Sequence, residues 1–185
     1  CYFMSVSMIY CMSPFFEPYA EEHDGAQKGT VGVIFAALPL FTFLASWPAG
    51  KVIDSLGTAI PQSVGLLVLA GSTLGFGLSK STPWWIAFRC LQGIATAPIY
   101  TSVNCTLANT FTGPGEFEKV NTLLEVSANL AFAVGPLYGG MLFQLGGFRA
   151  PFIVSAILHA LFLFLLSGCS SSRKRKGEEE KEENS

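Results

Sequence analysis

Charge is scarce in this sequence. Of 185 residues only 13% are Asp, Glu, Lys or Arg, and half are apolar. Soluble domains carry about 25% charged residues, which cover the core with polar surface. With a mean hydropathy of +0.46, something other than water must solvate much of the outside. The net charge of −2 conceals the shortage, because nearly half of the charged residues crowd into Arg173 to Glu183.

Chemistry-bearing patterns are also missing. The five cysteines, Cys1, Cys11, Cys90, Cys105 and Cys169, form no CxxC pair and lie within or beside apolar runs. They read as small buried residues, not as a disulfide or zinc framework. The two histidines, His23 and His159, are far apart and show no metal-ligand spacing, and His159 reads as a packing residue in an apolar helix. No nucleophile elbow, P-loop or pair of carboxylates is present, which argues against an enzyme and calls for no cofactor and no nucleic acid. The first dozen residues hold no basic residue, so Cys1 onward reads as a truncated first membrane helix and not as a signal peptide.

What is there is a series of apolar runs of the length a bilayer requires, about 20 residues each. The expected spans are 1–20, 30–50, 60–78, 84–110, 121–145 and 150–169. They predict an all-α membrane protein built as a six-helix bundle. Glu21, Glu22, His23 and Asp24 fall in a polar loop, and Asp54 falls in a short loop after the second span. Trp84 and Trp85 stand where an interfacial aromatic belt would be. Residues 170–185 form a charged low-complexity tail, expected to be disordered. The cluster Arg173, Lys174, Arg175 and Lys176 reads as a topology anchor that puts the tail in the cytosol, and six crossings then put the amino end there too.

Two spans contain an ionisable residue. A charge at mid-membrane costs on the order of 2.5–3.5 kcal/mol on the lenient insertion scale, so it faces an interior or a water-filled path. At a 3.6-residue period, Arg89, Gln92, Gly93, Thr96, Tyr100 and Asn104 form one stripe. Glu125, Asn129, Phe132, Pro136 and Gly139 form a second. Two such seams suit a polar cavity. A structural ion pair, or charges that snorkel to the headgroups, remains the alternative. The small-residue pairs Gly71/Gly75 and Gly135/Gly139 fit close helix crossings.

Three of these stretches resemble one family. Gly50, Asp54 and Gly57 match the loop signature G-x-x-x-D-R/K-x-G-R/K-R/K of the major facilitator transporters, although Ser55, Thr58 and Ala59 replace its basic residues. Arg89-Cys90-Leu91-Gln92-Gly93 is similar to the fourth-helix motif R-x-x-Q-G. Gly135-Pro136-Leu137-Tyr138-Gly139-Gly140 resembles the fifth-helix motif G-P-x-x-G-G of the proton-coupled antiporters. Met8 to Phe16 and the Leu124-Glu125 pair look like the vesicular amine and polyamine branch.

The resemblance implies the amino-terminal six-helix half of a secondary transporter, whose substrate site forms against a missing carboxy-terminal half. It implies a small organic solute, cationic in that branch, exchanged for protons in the lipid bilayer. Arg89, Gln92, Tyr100, Glu125 and Asn129 would line the substrate and proton pathway, with Glu125 the anionic partner of an amine. Gly50, Asp54, Gly57, Gly93, Gly135, Pro136, Gly139 and Gly140 would serve gating and helix packing. A second reading is a truncated membrane protein that does not transport but assembles with, or inhibits, a full-length relative.

Overall fold

The computed structural model describes residues 2–164, and all of its regular structure is helical. The helices are α1 (Tyr2–Tyr10), α2 (Phe16–Asp24), α3 (Lys28–Leu56), α4 (Ala59–Leu78), α5 (Thr82–Thr110), α6 (Glu116–Gly146) and α7 (Arg149–Phe164). Apolar runs form the rods, and turn chemistry sets where they stop. Gly57 ends α3 at φ 76° and Gly147 follows α6 at φ 68°, a left-handed backbone open chiefly to glycine. Pro83 opens α5 in its first turn, where its missing N–H costs nothing.

Three helices, α3, α4 and α6, are long and apolar enough to cross a membrane. At 29 residues α5 is as long as α3, but its sequence is more polar. Large apolar side chains point outward along these rods: Phe43 is 75% exposed, Trp47 73% and Leu145 82%. Such continuous apolar faces are untenable in water and natural against acyl chains.

Packing relies on small residues, because lipid offers little apolar drive for helices to associate. Helix α5 lies against α3 and α4, while α1 lies against α6. At Gly93 of α5 an added Cβ would stand 2.5 Å from the Leu38 carbonyl of α3. There the Thr42 hydroxyl lies 2.9 Å from the Leu38 carbonyl and 3.2 Å from that of Gly93, so it can donate to either. At Gly135 of α6 the nearest atom would be the Ser7 carbonyl of α1 at 2.7 Å, and at Gly139 the Cys11 carbonyl. The Gly71/Gly75 pair divides: Gly75 meets the Phe88 ring, while Gly71 has open space around it.

Several expectations need correction. The run 1–20 is not one rod: α1 stops at Tyr10, and residues 11–15 turn before α2 begins. Pro14 has no N–H to carry a helix through that point. Residues 21–24 are the end of α2, not a loop, with Gly25 at φ 60° closing it. Asp54 lies in the last turn of α3 and not in the connection that follows. Helices α3 and α6 also run past the expected limits, to Leu56 and back to Glu116. The end of the sixth run and the tail 170–185 lie outside the described residues.

Candidate functional site

Arg89 sits two turns into α5, on the face that α1, α3 and α4 cover. It is 2% exposed. Its Nη1 donates to Oε1 of Gln92, one turn along, at 3.0 Å. The Gln92 amide donates in turn to Thr73 Oγ1 of α4 at 3.4 Å, and Thr73 donates to the Leu69 carbonyl at 2.6 Å. The Met12 sulfur lies against Nη2, and the rings of Phe76 and Phe35 stand 5.1 and 5.8 Å from the guanidinium carbon. Nε is buried without a partner. Among the described residues no carboxylate pairs with this cation, which is held by an amide, a thioether and ring faces.

An aromatic cluster closes the bundle around Arg89. Phe16, Phe76 and Trp85 are fully buried, and Phe148 and Phe152 nearly so. The ring of Phe16 lies 5.2 Å from Trp85 and 5.3 Å from Phe76, edge-on or tilted as ring quadrupoles favour. Trp85 is therefore a core residue and not part of an interfacial belt. Its neighbour Trp84, 62% exposed, faces outward.

The stripe on α5 changes character along its length. Arg89, Gln92, Gly93 and Thr96 are buried, Tyr100 is half-buried and Asn104 is exposed. The upper part of this seam is a packed polar core, not the wall of a cavity. Tyr100 meets Tyr2 of α1 with ring centroids 4.7 Å apart.

The stripe on α6 behaves in the opposite sense. Glu125, Asn129 and Phe132 are exposed, while Gly135 and Gly139 are buried under α1. Asn121 donates to Glu125 Oε1 at 3.1 Å, and the charge of Glu125 acts on the Tyr2 hydroxyl. Phe132 packs edge-on to Tyr10, with centroids 4.6 Å apart. Glu125 thus belongs to the Tyr2–Tyr100 end of the bundle and Arg89 to the Met12–Trp85 end. The eleven residues from Arg89 to Tyr100 span about 16 Å along α5. The two charges do not meet.

The remaining positions are structural in outline. Gly50 is half-buried with no atom within 4 Å of an added Cβ, and Gly140 has only Pro14 at 4.0 Å. Asp54 and Gly57 are exposed at the end of α3, and Pro136 lies inside α6. Thr73 and Met12, both partners of the buried network, escaped the sequence reading. A Ser72-Thr73 doublet in an otherwise apolar helix was the one available signal.

A buried cation, small-residue crossings and an apolar exterior describe a helical membrane bundle. The Major Facilitator Superfamily profile matches residues 1–185, and the chain belongs to that family. It is 33% identical over 149 residues to the MFS-type transporter SLC18B1 of Rattus norvegicus, covering 77% of this chain and 32% of that protein. It is 33% identical over 126 residues to the probable vesicular acetylcholine transporter-B of Danio rerio, covering 68% and 26%. The vesicular acetylcholine transporter of Tetronarce californica is 31% identical over 151 residues, 79% and 29%. The chain therefore spans about a third or less of the length of these relatives, each of which is named as a transporter.

Proposed function

We propose that this chain forms the amino-terminal six-span half of a secondary active transporter that exchanges small organic cations, amines among them, for protons. The observation that carries this reading is Glu125, an exposed carboxylate well inside α6, flanked by Asn121, Asn129 and Phe132. A charge on a membrane helix needs water, a partner or a substrate. A second bundle packed on this face would turn it into the wall of a central passage, with Glu125 facing the substrate. Tyr100 and Asn129 belong to the same wall. Arg89 and Gln92 act from inside the half, where a buried cation responds to charge in the passage.

Both chain ends lie in the cytosol in this reading, and residues 170–185 begin the linker to the second half. Asp54 is disfavoured by the carbonyl end of its own helix, which leaves its charge available to a gating partner beside Gly50 and Gly57. Gly135 and Gly139 hold α6 close to α1, and with Pro136 and Gly140 they close the outer side.

The test is uptake of a panel of amines by the full-length protein in proteoliposomes under an imposed pH gradient. Glu125→Gln abolishes uptake while the protein still elutes as a folded species. Undiminished uptake by this variant removes Glu125 from the site.

A further inference from the structure

The α1, α6 and α7 junction holds a cavity of about 170 Å³ that the transport reading does not use. Ser7 and Met8 of α1, Tyr138 of α6, and Ser155, Leu158 and His159 of α7 contribute to its lining. His159 is 2% exposed. Its Nδ1 lies 2.7 Å from the Ser155 carbonyl oxygen. A carbonyl only accepts, so Nδ1 carries the proton and Nε2 keeps its lone pair.

That basic Nε2 is buried and unpartnered. Buried polar atoms are nearly always paired, and an exception needs a cause. Packing alone, as the sequence implied for His159, accounts for burial of the ring but not for a free base beside a cavity. The Tyr138 hydroxyl adds to the polar set, sitting among Ser7, Cys11 and Ser155. A water needs about 10–15 Å³ of such space and two to four polar partners, and this cavity offers both.

We propose that this cavity is a hydrated proton-binding site, with Nε2 of His159 as the acceptor. Water in the cavity relays a proton from bulk hydronium. The new N–H bond forms at Nε2, water is released, and no electron changes hands. Nδ1–H keeps its bond to Ser155 throughout, so the ring stays fixed while its charge changes. The imidazolium then donates from Nε2 to cavity water or to a reoriented hydroxyl of Ser7, Tyr138 or Ser155. The titratable groups facing this site are Cys11, in the turn after α1, and Tyr138 of α6. Arg89 acts on Cys11, and among the described residues no carboxylate acts on His159.

The proposal does not depend on transport and is tested without it. The chain has two histidines, so His23→Gln leaves His159 as the sole imidazole, and His23 is exposed. The nitrogen-15 histidine spectrum of this variant in lipid nanodiscs is recorded from about pH 8.5 to about pH 4.5, the range that brackets imidazole titration. The expected result is a neutral form protonated at Nδ1 at high pH, with the Nε2 signal moving in a single titration as pH falls. A His159 signal that stays fixed across this range overturns the proposal, as does a neutral form protonated at Nε2.

Discussion

Arg89 and Gln92 form a hydrogen-bonded pair one helical turn apart, with Nη1 donating to Oε1 at 3.0 Å inside a shell of aromatic rings. The cation has an amide partner where a carboxylate would be usual. Breaking a buried ion pair costs about 3–5 kcal/mol, because an uncompensated charge stays behind. Arg89→Met leaves no such charge and keeps a long flexible side chain. It therefore holds or raises the thermal midpoint in detergent, and abolishes uptake in the full-length transporter. A fall in the midpoint equivalent to several kcal/mol would show that an anionic partner had been lost.

Gly139 and Gly140 are adjacent, yet they meet different surroundings. A Cβ at Gly139 would collide with the Cys11 carbonyl, whereas at Gly140 the nearest atom is Pro14 at 4.0 Å. Gly139→Ala forces α1 off α6 and costs about 1–3 kcal/mol, as overpacking does. Gly140→Ala is neutral, or stabilising by up to about 1 kcal/mol through the helix preference for alanine. Thermal unfolding of the two variants, measured side by side, separates them. Equal midpoints would contradict the α1–α6 crossing.

The adjacent tryptophans make a second matched pair. Trp85 is fully buried among Phe16, Phe76 and Phe148, while Trp84 is 62% exposed. Trp85→Ala costs about 3–5 kcal/mol, the range for large aromatic deletions from a core. Trp84→Ala changes stability by about 0.5 kcal/mol or less. Quenching by lipid-borne bromine should reach Trp84 in preference to Trp85.

Asp24 tethers the end of α2 to the start of α5. Its Oδ2 accepts the Thr82 backbone N–H at 2.6 Å and the Thr82 hydroxyl at 2.5 Å. These bonds favour the ionised form and hold the carboxyl below its ordinary value of 3.8. The folded-state value is depressed, so the stabilisation is complete above the unfolded value and is lost as pH falls through the folded one. The thermal midpoint therefore declines below about pH 4. Asp24→Ala removes this tether's share of that decline. A decline of identical size in the variant would exonerate the tether.

Much of the fold was legible because apolar length and turn residues act locally. Gly57 and Gly147 mark helix ends that the sequence announces, and α4 falls within a residue of its expected limits. The first run was misjudged where Pro14 interrupts it. Helices α3 and α6 were cut short because their polar ends continue the rod without continuing the apolar pattern.

The site was harder to read. Trp84 and Trp85 differ by about 100° of helix rotation, and composition cannot say which one turns inward. The stripes on α5 and α6 each looked like a cavity wall. Only the pairing of Tyr2 with Tyr100, and of Met12 with Arg89, reveals that the two charges occupy opposite ends. Thr73 was silent because its role depends on which helix faces it.

The ring cluster around Trp85 has a consequence for any solute that crosses with this protein's help. Interlocked at Phe16, Phe76, Phe148 and Phe152, it plugs one end of the half as solidly as a stopper. Among the described residues this cluster blocks passage along the bundle axis at that end. In the proposed transporter, solute would pass along the flank that carries Glu125, where a second bundle would pack.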